Sequence, residues 1–212
     1  MKVKKYPQSH LVISSEKGKL IIDPGFFTFD KGYKVEDFAD VDAYLITHRH
    51  DDHLGPDTIK ELVGDKPVYG NADVVAKLKT LGVEATEVKS REKFSVLGYE
   101  IEPVDLPHFK VPDNRESPQN TGFIVDGVFF HAGDGFKLDG VSVNNTALAL
   151  GHSSLSILDV LDFAKSLNAK VLIPIHYDAY KRDPEELVKA SENYGYNIEI
   201  RPLADEEETE IS

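Results

Sequence analysis

The chain has no cysteine among its 212 residues. Disulfides and thiolate metal sites are therefore excluded. Any metal ion must be held by histidine, aspartate and glutamate, whose nitrogen and oxygen atoms suit zinc, manganese, iron or nickel. The Gly-x-x-x-x-Gly-Lys and Gly-x-Gly-x-x-Gly patterns are absent, and so is the Gly-x-Ser-x-Gly turn. The sequence thus lacks the usual phosphate-binding loops and the serine nucleophile elbow.

Basic residues are scarce, with 24 Lys and Arg against 37 Asp and Glu, and the formal net charge is -13. Such a surface repels phosphate backbones and anionic lipid headgroups, so we expect a small-molecule substrate and neither nucleic acid nor a membrane as partner. The first residues lack the apolar core of a signal peptide, and no apolar run is long enough to span a bilayer. We therefore expect a cytoplasmic protein, and the sequence gives no indication of oligomeric state.

Short apolar runs bounded by glycine, proline and aspartate recur along the chain and predict strands. The predicted strands are His10–Ser14, Lys19–Ile22, Ala43–Thr47, Val68–Tyr69, Glu84–Val88, Phe94–Leu97, Tyr99–Val104, Thr121–Val125, Val128–His131, Ala147–Leu150, Val171–Ile175 and Asn197–Ile200. Helical periodicity predicts helices over Asp57–Val63, Asn71–Leu81, Ser156–Leu167 and Asp183–Tyr194. This order favours an α+β fold with two sheets packed face to face and helices outside. We expect one domain over residues 1–212, with the acidic tail Asp205–Glu210 solvated or frayed.

The most informative segment is Thr47-His48-Arg49-His50-Asp51-Asp52-His53-Leu54, which follows the apolar run Ala43–Ile46. His48 and His50 alternate on an extended backbone, so both rings can face one metal ion. Asp52 and His53 come after the chain turns and can face a second ion. Asp51 is expected to point to solvent.

Three further candidate ligands lie at the ends of apolar strands. His108 follows Tyr99–Val104, Asp134 follows the run that ends at His131, and His176 follows Val171–Ile175 directly. Loops at the ends of strands are where ligands converge on a rigid sheet. The shared placement predicts that these side chains meet the histidines of the first segment.

The segment His48-Arg49-His50-Asp51-Asp52-His53 resembles the His-x-His-x-Asp-His pattern of the metallo-β-lactamase superfamily. The resemblance extends from Asp23 to His176 and implies an αββα four-layer sandwich. It is closest to a branch of metal-dependent hydrolases similar to ascorbate-6-phosphate lactonase-like proteins. The resemblance implies that metal one is held by His48, His50 and His108, metal two by Asp52, His53 and His176, that Asp134 bridges both, and that Asp23 supports the ligand loop.

The activity expected from this resemblance is hydrolysis by a water that bridges two divalent metal ions, zinc before manganese, iron or nickel. Asp52 and Asp134 would orient the nucleophile and transfer its proton. The scissile bond would be an ester, lactone or phosphoester in a small molecule. The alternatives are a phosphodiesterase or nuclease of the same superfamily, a metal-binding protein without turnover and, more remotely, a redox di-iron protein.

Several other residues near these segments have less specific assignments. His131 alternates with Phe129 along a strand and is expected to be a packed, hydrogen-bonded histidine. His152, at a strand-to-helix junction, either contacts substrate or caps the helix. Tyr177 is a candidate for lining the pocket. The segment Pro112–Asn120, which includes Arg115, is expected to be an exposed loop that affects substrate specificity.

Overall fold

The computed structural model describes residues 1–110, 117–151 and 154–212. His152 and Arg115 lie outside the described residues. No helix within those three stretches is long and apolar enough to cross a membrane.

Two seven-stranded sheets form the centre of the described structure. The first has the order β14-β1-β2-β3-β4-β5-β6 and the second the order β13-β12-β11-β10-β9-β8-β7. The strands are β1 (Lys2–Lys5), β2 (Leu11–Ser15), β3 (Gly18–Ile22), β4 (Ala43–Ile46), β5 (Val68–Gly70), β6 (Thr86–Glu87), β7 (Phe94–Val96), β8 (Tyr99–Asp105), β9 (Thr121–Val125), β10 (Phe129–His131), β11 (Asn145–Ala149), β12 (Val171–Ile175), β13 (Glu199–Ile200) and β14 (Glu208–Glu210). The helices are α1 (Phe26–Asp30), α2 (Ile59–Val63), α3 (Ala72–Thr80), α4 (Ile157–Ser166) and α5 (Glu185–Asn193), with a 3-10 helix at Val35–Phe38.

Alternate side chains of the strands face different layers. In β2, Leu11 and Ile13 belong to the cluster between the sheets, together with Phe123 of β9. Val12 faces the cluster that includes α2 and α3, while the outer face of the second sheet packs against α4 and α5. Strands covered on both faces read as continuous apolar runs, as β4 and β12 do. The predicted sandwich of two sheets with helices outside is confirmed.

Strand direction brings the candidate ligands to one edge. β3, β4, β5 and β6 are parallel in the first sheet, and β10, β11, β12 and β13 are parallel in the second. β8 runs in the same direction as β10, because both pair antiparallel with β9. The turn between β1 and β2 reaches the same edge as the end of β3, because β2 is antiparallel to β3.

The acidic tail is solvated, as predicted, since its glutamates are exposed, but it is not frayed. Residues Glu208–Glu210 form β14, which pairs antiparallel with β1 and places Lys2 opposite Glu210 and Lys4 opposite Glu208. Lys2 Nζ lies 2.8 Å from Glu208 Oε1. Each of the two segments alone reads as a solvated run of charges. Opposite charges on the two facing strands favour their pairing at the edge of the sheet. Strand β1 and helix α1 were also not predicted.

The predicted helix starts agree with the structure. The side chain of Asn71 accepts a hydrogen bond from the backbone nitrogen of Val74 at the start of α3. Ser156 caps α4 in a capping box with Asp159. A capping side chain satisfies backbone N–H groups that have no partner within the helix. The cap places the start of α3 beside the end of β4, since Asn71 Nδ2 also donates to Thr47 O at 2.9 Å.

His10 is buried among aromatic rings. Its ring stacks on Tyr6 at 4.9 Å between centroids, and its Nδ1 lies 2.9 Å from Thr28 Oγ1. Burial, with a smaller contribution from the positive charge of Lys5, lowers the pKa of His10 to about 3. The folded protein therefore holds this imidazole neutral over a pH range in which the unfolded chain would protonate it.

We expect the free energy of unfolding to decrease as pH falls below about 6.5, the pKa of an unperturbed histidine. His10 should contribute a slope of up to about 1.4 kcal/mol per pH unit, because the unfolded state binds the extra proton. Urea unfolding of metal-free protein between pH 7 and 5.5 measures this slope. The His10→Gln variant should show a shallower slope, and equal slopes would contradict the assignment.

Candidate metal centre

The structure brings all seven predicted ligands together at the common edge of the sheets. Their ligand atoms fall into two groups, within each of which every atom lies within 4.8 Å of the others. One group is His48, His50, His108 and Asp134, and the other is Asp52, His53 and His176. The grouping matches the division into two sites that the resemblance implies. That these residues bind metal stays a prediction.

The carboxylate of Asp134 lies between the two groups. Its Oδ2 is 3.6 Å from His108 Nε2 and 3.3 Å from His176 Nε2, while its Oδ1 is 3.2 Å from His53 Nε2. The backbone nitrogen of Asp134 donates to Asn120 Oδ1 at 3.1 Å, which fixes the loop after β10. Oδ1 therefore faces the second group and Oδ2 faces both groups, so the carboxylate contacts each group, as expected of one shared by two cations.

Gly133 permits the close approach that this loop requires. Its φ is 58°, and a Cβ there would lie 2.6 Å from both Asn120 Oδ1 and Thr47 Oγ1. Any other residue would be strained and would displace both polar groups beside the ligands. The loop from β10 can therefore pack directly on the segment that carries His48.

Asp52 is the most accessible carboxylate of the set. Its Oδ2 lies 3.1 Å from His176 Nε2 and 3.9 Å from His53 Nε2, and its side chain is 23% exposed against 3% for Asp134. Its neighbour Asp51 points outwards, is 56% exposed and lies 3.7 Å from Lys77 Nζ. The predicted outward orientation of Asp51 is confirmed.

Three imidazole rings are anchored through the nitrogen that faces away from the centre. His53 Nδ1 lies 2.7 Å from Asp23 Oδ2, His108 Nδ1 lies 2.6 Å from Phe109 O, and His176 Nδ1 lies 3.0 Å from Gly151 O. Each acceptor oxygen places the proton on Nδ1, so the lone pair of each Nε2 is directed into the cluster. This is the tautomer that a metal ion requires.

Asp23 anchors the loop after β4 through three hydrogen bonds. Its carboxylate accepts from the backbone nitrogen of Thr47 at 2.8 Å, from the Thr47 hydroxyl at 2.6 Å and from His53 Nδ1 at 2.7 Å. Because the hydroxyl proton goes to Asp23, the oxygen of Thr47 is left to accept from His48 Nδ1 at 3.1 Å. One buried carboxylate thus orients a ring from each group.

The pKa directions reflect burial opposed by neighbouring charges. Burial lowers the pKa of His48 well below its usual value and that of His50 to about 4, so both rings are neutral at pH 7. Burial alone would raise the pKa of Asp134, but the imidazoles of His176 and His53 lower it. The same balance lowers the pKa of Asp52. Burial also opposes a charge on His53 and His176, but the carboxylates of Asp134 and Asp52 raise the pKa of both rings, that of His53 well above its usual value. A cation that binds these two rings would therefore displace protons from them.

Unpartnered buried atoms provide a test of whether a cation fits. Five buried side-chain atoms in the described part of the chain have no hydrogen-bond partner, and three of them belong to the cluster: His53 Nε2, His108 Nε2 and Asp134 Oδ1. Such atoms are rare in folded proteins because each lost hydrogen bond is unfavourable. All three face the cluster, and a cation would satisfy them. Five imidazoles and two carboxylates suit zinc, iron or nickel.

Other predicted residues lie outside the cluster. His131 is buried and hydrogen-bonded, since Gly133 N donates to its Nδ1 and its Nε2 lies 3.1 Å from Ser9 O; its packed role is confirmed. The Tyr177 hydroxyl donates to Leu203 O at 3.0 Å, so contact of Tyr177 with substrate stays a prediction. His152, the other candidate for substrate contact, is outside the described residues.

Aromatic residues around His176 were not predicted from the sequence. Tyr180 stacks on His176 with ring centroids 5.6 Å apart and is 46% exposed. Phe109 meets the same imidazole edge-on at 5.8 Å and is buried. They form an aromatic rim beside the second group. Tyr180 could not be predicted from the sequence, because only the fold places its ring against that of His176.

Comparisons with known proteins identify the family. A family profile described as the Beta-lactamase superfamily domain matches residues 19–177. The chain belongs to this family. A UPF0173 metal-dependent hydrolase of Pyrococcus abyssi is 29% identical, covering 95% of this chain and 97% of the relative. A second, from Pyrococcus furiosus, is 30% identical and covers 81% and 84%. The predicted class, a metal-dependent hydrolase of the metallo-β-lactamase superfamily, is confirmed.

Solved structures support the same fold. Igni18, a metallo hydrolase from Ignicoccus hospitalis, matches with a TM-score of 0.79 at 20% identity, over 98% of this chain and 97% of that one. The isothiocyanate hydrolase from Delia radicum gut bacteria matches with a TM-score of 0.77 at 20% identity, over 100% and 99%. At these identities the likeness concerns the fold alone.

Exchange of Asp23 for asparagine should weaken metal binding. In Asp23→Asn, an amide NH2 would replace one of the oxygens that accept from His53 and Thr47, and the ligand rings would lose their fixed orientation. Loss of such a supporting partner typically reduces metal affinity by about 10–100-fold. Elemental analysis after dialysis against a weak chelator measures the loss. The control is Asp40→Asn, which changes an exposed carboxylate paired with Lys19; equal metal content in both variants would refute the role of Asp23.

Proposed function

We propose that this hydrolase binds two divalent cations that share Asp134 and cleaves an ester, lactone or phosphoester bond in a small molecule. His48, His50 and His108 would hold the first cation, and Asp52, His53 and His176 the second. The observation that carries the proposal is the Asp134 carboxylate, whose oxygens face the imidazoles of both groups. The unpartnered atoms His53 Nε2 and His108 Nε2 support the same placement.

Zinc is the first choice for both cations. Imidazole nitrogen and carboxylate oxygen are common zinc ligands, and the chain offers no thiolate that would indicate a structural site. Manganese, iron and nickel accept the same ligands, so the donor set restricts the metal to this group. Elemental analysis of the purified protein decides among them.

When bound, two cations lower the pKa of a shared water toward neutrality and stabilise negative charge that develops on the substrate. Asp134, buried and held by Asn120, is placed to orient the nucleophile. Asp52 is partly exposed, so its carboxylate is the one that can pass a proton between the nucleophile, the leaving group and solvent.

The substrate class follows from charge and from the shape of the rim. The net charge of -13 disfavours a polyanionic substrate such as RNA. Tyr180 is exposed beside His176 and offers an aromatic surface to a small organic group. A phosphodiesterase is the second candidate, because two cations also stabilise the transition state of phosphoryl transfer. The cytoplasm remains the expected compartment.

Neighbouring aspartates provide a matched test of the metal site. Asp52→Asn should reduce the cation content from about two equivalents and reduce hydrolysis by at least ~100-fold, because a ligand and a proton carrier are lost together. Asp51→Asn makes the same chemical change one residue away, on an exposed side chain, and should leave both quantities unchanged. Elemental analysis and initial rates measure the two effects.

Asp134→Ala should remove both cations more completely, since its carboxylate faces both groups. Full metal content and full activity in Asp134→Ala would show that the cluster is not the catalytic centre. A wild-type protein with two cations and no turnover would instead favour a metal-binding protein without catalysis.

A panel of substrates separates the candidate reactions. The metallated enzyme would be assayed with p-nitrophenyl acetate, γ-lactones, bis-p-nitrophenyl phosphate and phenethyl isothiocyanate, the last because of the structural neighbour. We expect turnover of an ester or lactone to exceed that of the phosphodiester. The reverse order would establish the phosphodiesterase alternative.

A further inference from the structure

The turn between β1 and β2 reaches the proposed second cation site. Gln8 occupies this turn, is 1% exposed and has a φ of 62°, in the left-handed region that non-glycine residues rarely adopt. A buried polar side chain on a strained backbone indicates a position held by several specific contacts.

The side chain of Gln8 connects two ligand-bearing segments. Its Nε2 donates to Asp52 Oδ2 at 3.4 Å, and its Oε1 accepts from the backbone nitrogen of Ala179 at 3.3 Å. Asp52 follows β4 in the first sheet, while Ala179 lies three residues after His176 at the end of β12 in the second. One amide group therefore connects a loop of the first sheet to a loop of the second at the edge that carries the candidate ligands.

The backbone of Gln8 holds the same loop. Its carbonyl accepts from the backbone nitrogen of His176 at 3.0 Å, and its own nitrogen donates to Asp178 Oδ2 at 2.8 Å. Asp178 is fixed further by Lys31 Nζ at 2.7 Å and by the buried Lys5 Nζ at 3.5 Å. The backbone of Gln8 thus anchors the His176 loop, and its side chain links that loop to Asp52.

The atom that Gln8 contacts is the one that faces the second cation site. Asp52 Oδ2 lies 3.1 Å from His176 Nε2, and both belong to the second group of ligand atoms. Asp52 is partly exposed, so its carboxylate has more rotational freedom than that of the buried Asp134. A hydrogen bond from Gln8 selects the rotamer that directs Oδ2 towards His176.

We propose that Gln8 is a positioning residue for the second cation site: its side-chain amide holds the Asp52 carboxylate in the orientation that binds the metal. The proposal rests on the two-cation function above. The β1–β2 turn would then affect metal affinity although it supplies no ligand.

The test is a cobalt titration of metal-free protein, wild type beside Gln8→Met. Methionine matches glutamine in length and volume but can neither donate to Asp52 nor replace the oxygen that accepts from the backbone nitrogen of Ala179. We expect one of the two Co²⁺ affinities to fall by about 10–100-fold and the other to stay within a factor of two or three. The visible absorption of the weaker site should also change in Gln8→Met, because its carboxylate ligand is no longer fixed. Competition with a chelating dye measures both constants.

Two further variants keep the test decisive. Lys31→Met removes ion pairs from the same loop and touches neither Asp52 nor the Gln8 side chain, so both Co²⁺ affinities should equal those of the wild type. Gln8→Asn tolerates the left-handed backbone but is one methylene shorter, so it should show the same loss as Gln8→Met if that variant fails to fold.

The outcomes separate this inference from the proposed function. A Gln8→Met protein with a lower melting temperature without metal but two unchanged Co²⁺ affinities would show that Gln8 is only structural, and the inference would be wrong. A wild-type protein that binds fewer than two Co²⁺ ions would overturn the two-cation function itself. Loss of one affinity in Gln8→Met and in Gln8→Asn, but not in Lys31→Met, is the result we expect.

Discussion

Four buried imidazole rings converge on one centre, and each must satisfy the nitrogen that faces away from it. The structure meets this constraint with fixed oxygen acceptors, of which the Asp23 carboxylate is the most connected. It orients His53 directly and His48 through the Thr47 hydroxyl. These acceptors direct all four Nε2 atoms inwards, towards the carboxylates of Asp134 and Asp52.

The backbone at the edge of the sheets is strained where it carries these groups. Asp23 and His176 have φ values of 54° and 60°, and Gln8 has 62°. A left-handed conformation costs roughly 1–2 kcal/mol for a residue with a Cβ, so each must be held by its surroundings. Asp23 and His176 directly follow the buried strands β3 and β12. The abrupt turn directs their side chains into the centre, whereas an extended backbone would carry them past it.

The sequence indicated the candidate ligands more clearly than the residues that orient them. His48, His108 and His176 could be related to one another because each follows an apolar run, and strand direction takes such positions to one edge. Gln8 has no comparable signal, since its partners Asp52 and Ala179 are 44 and 171 residues away. Pairing across the whole chain also explains why β14 could not be predicted: its partner β1 lies at the other end of the sequence, and the lysines of β1 face the glutamates of β14.

The ligands come from both sheets, and this links metal binding to the stability of the sandwich. The loop after β4 belongs to the first sheet, while the loops after β8, β10 and β12 belong to the second. A cation held between them binds the folded state alone and would stabilise it by about 2.7 kcal/mol per site at a free concentration of about 100 times Kd. Metal affinity and the stability of the sandwich would therefore depend on one another.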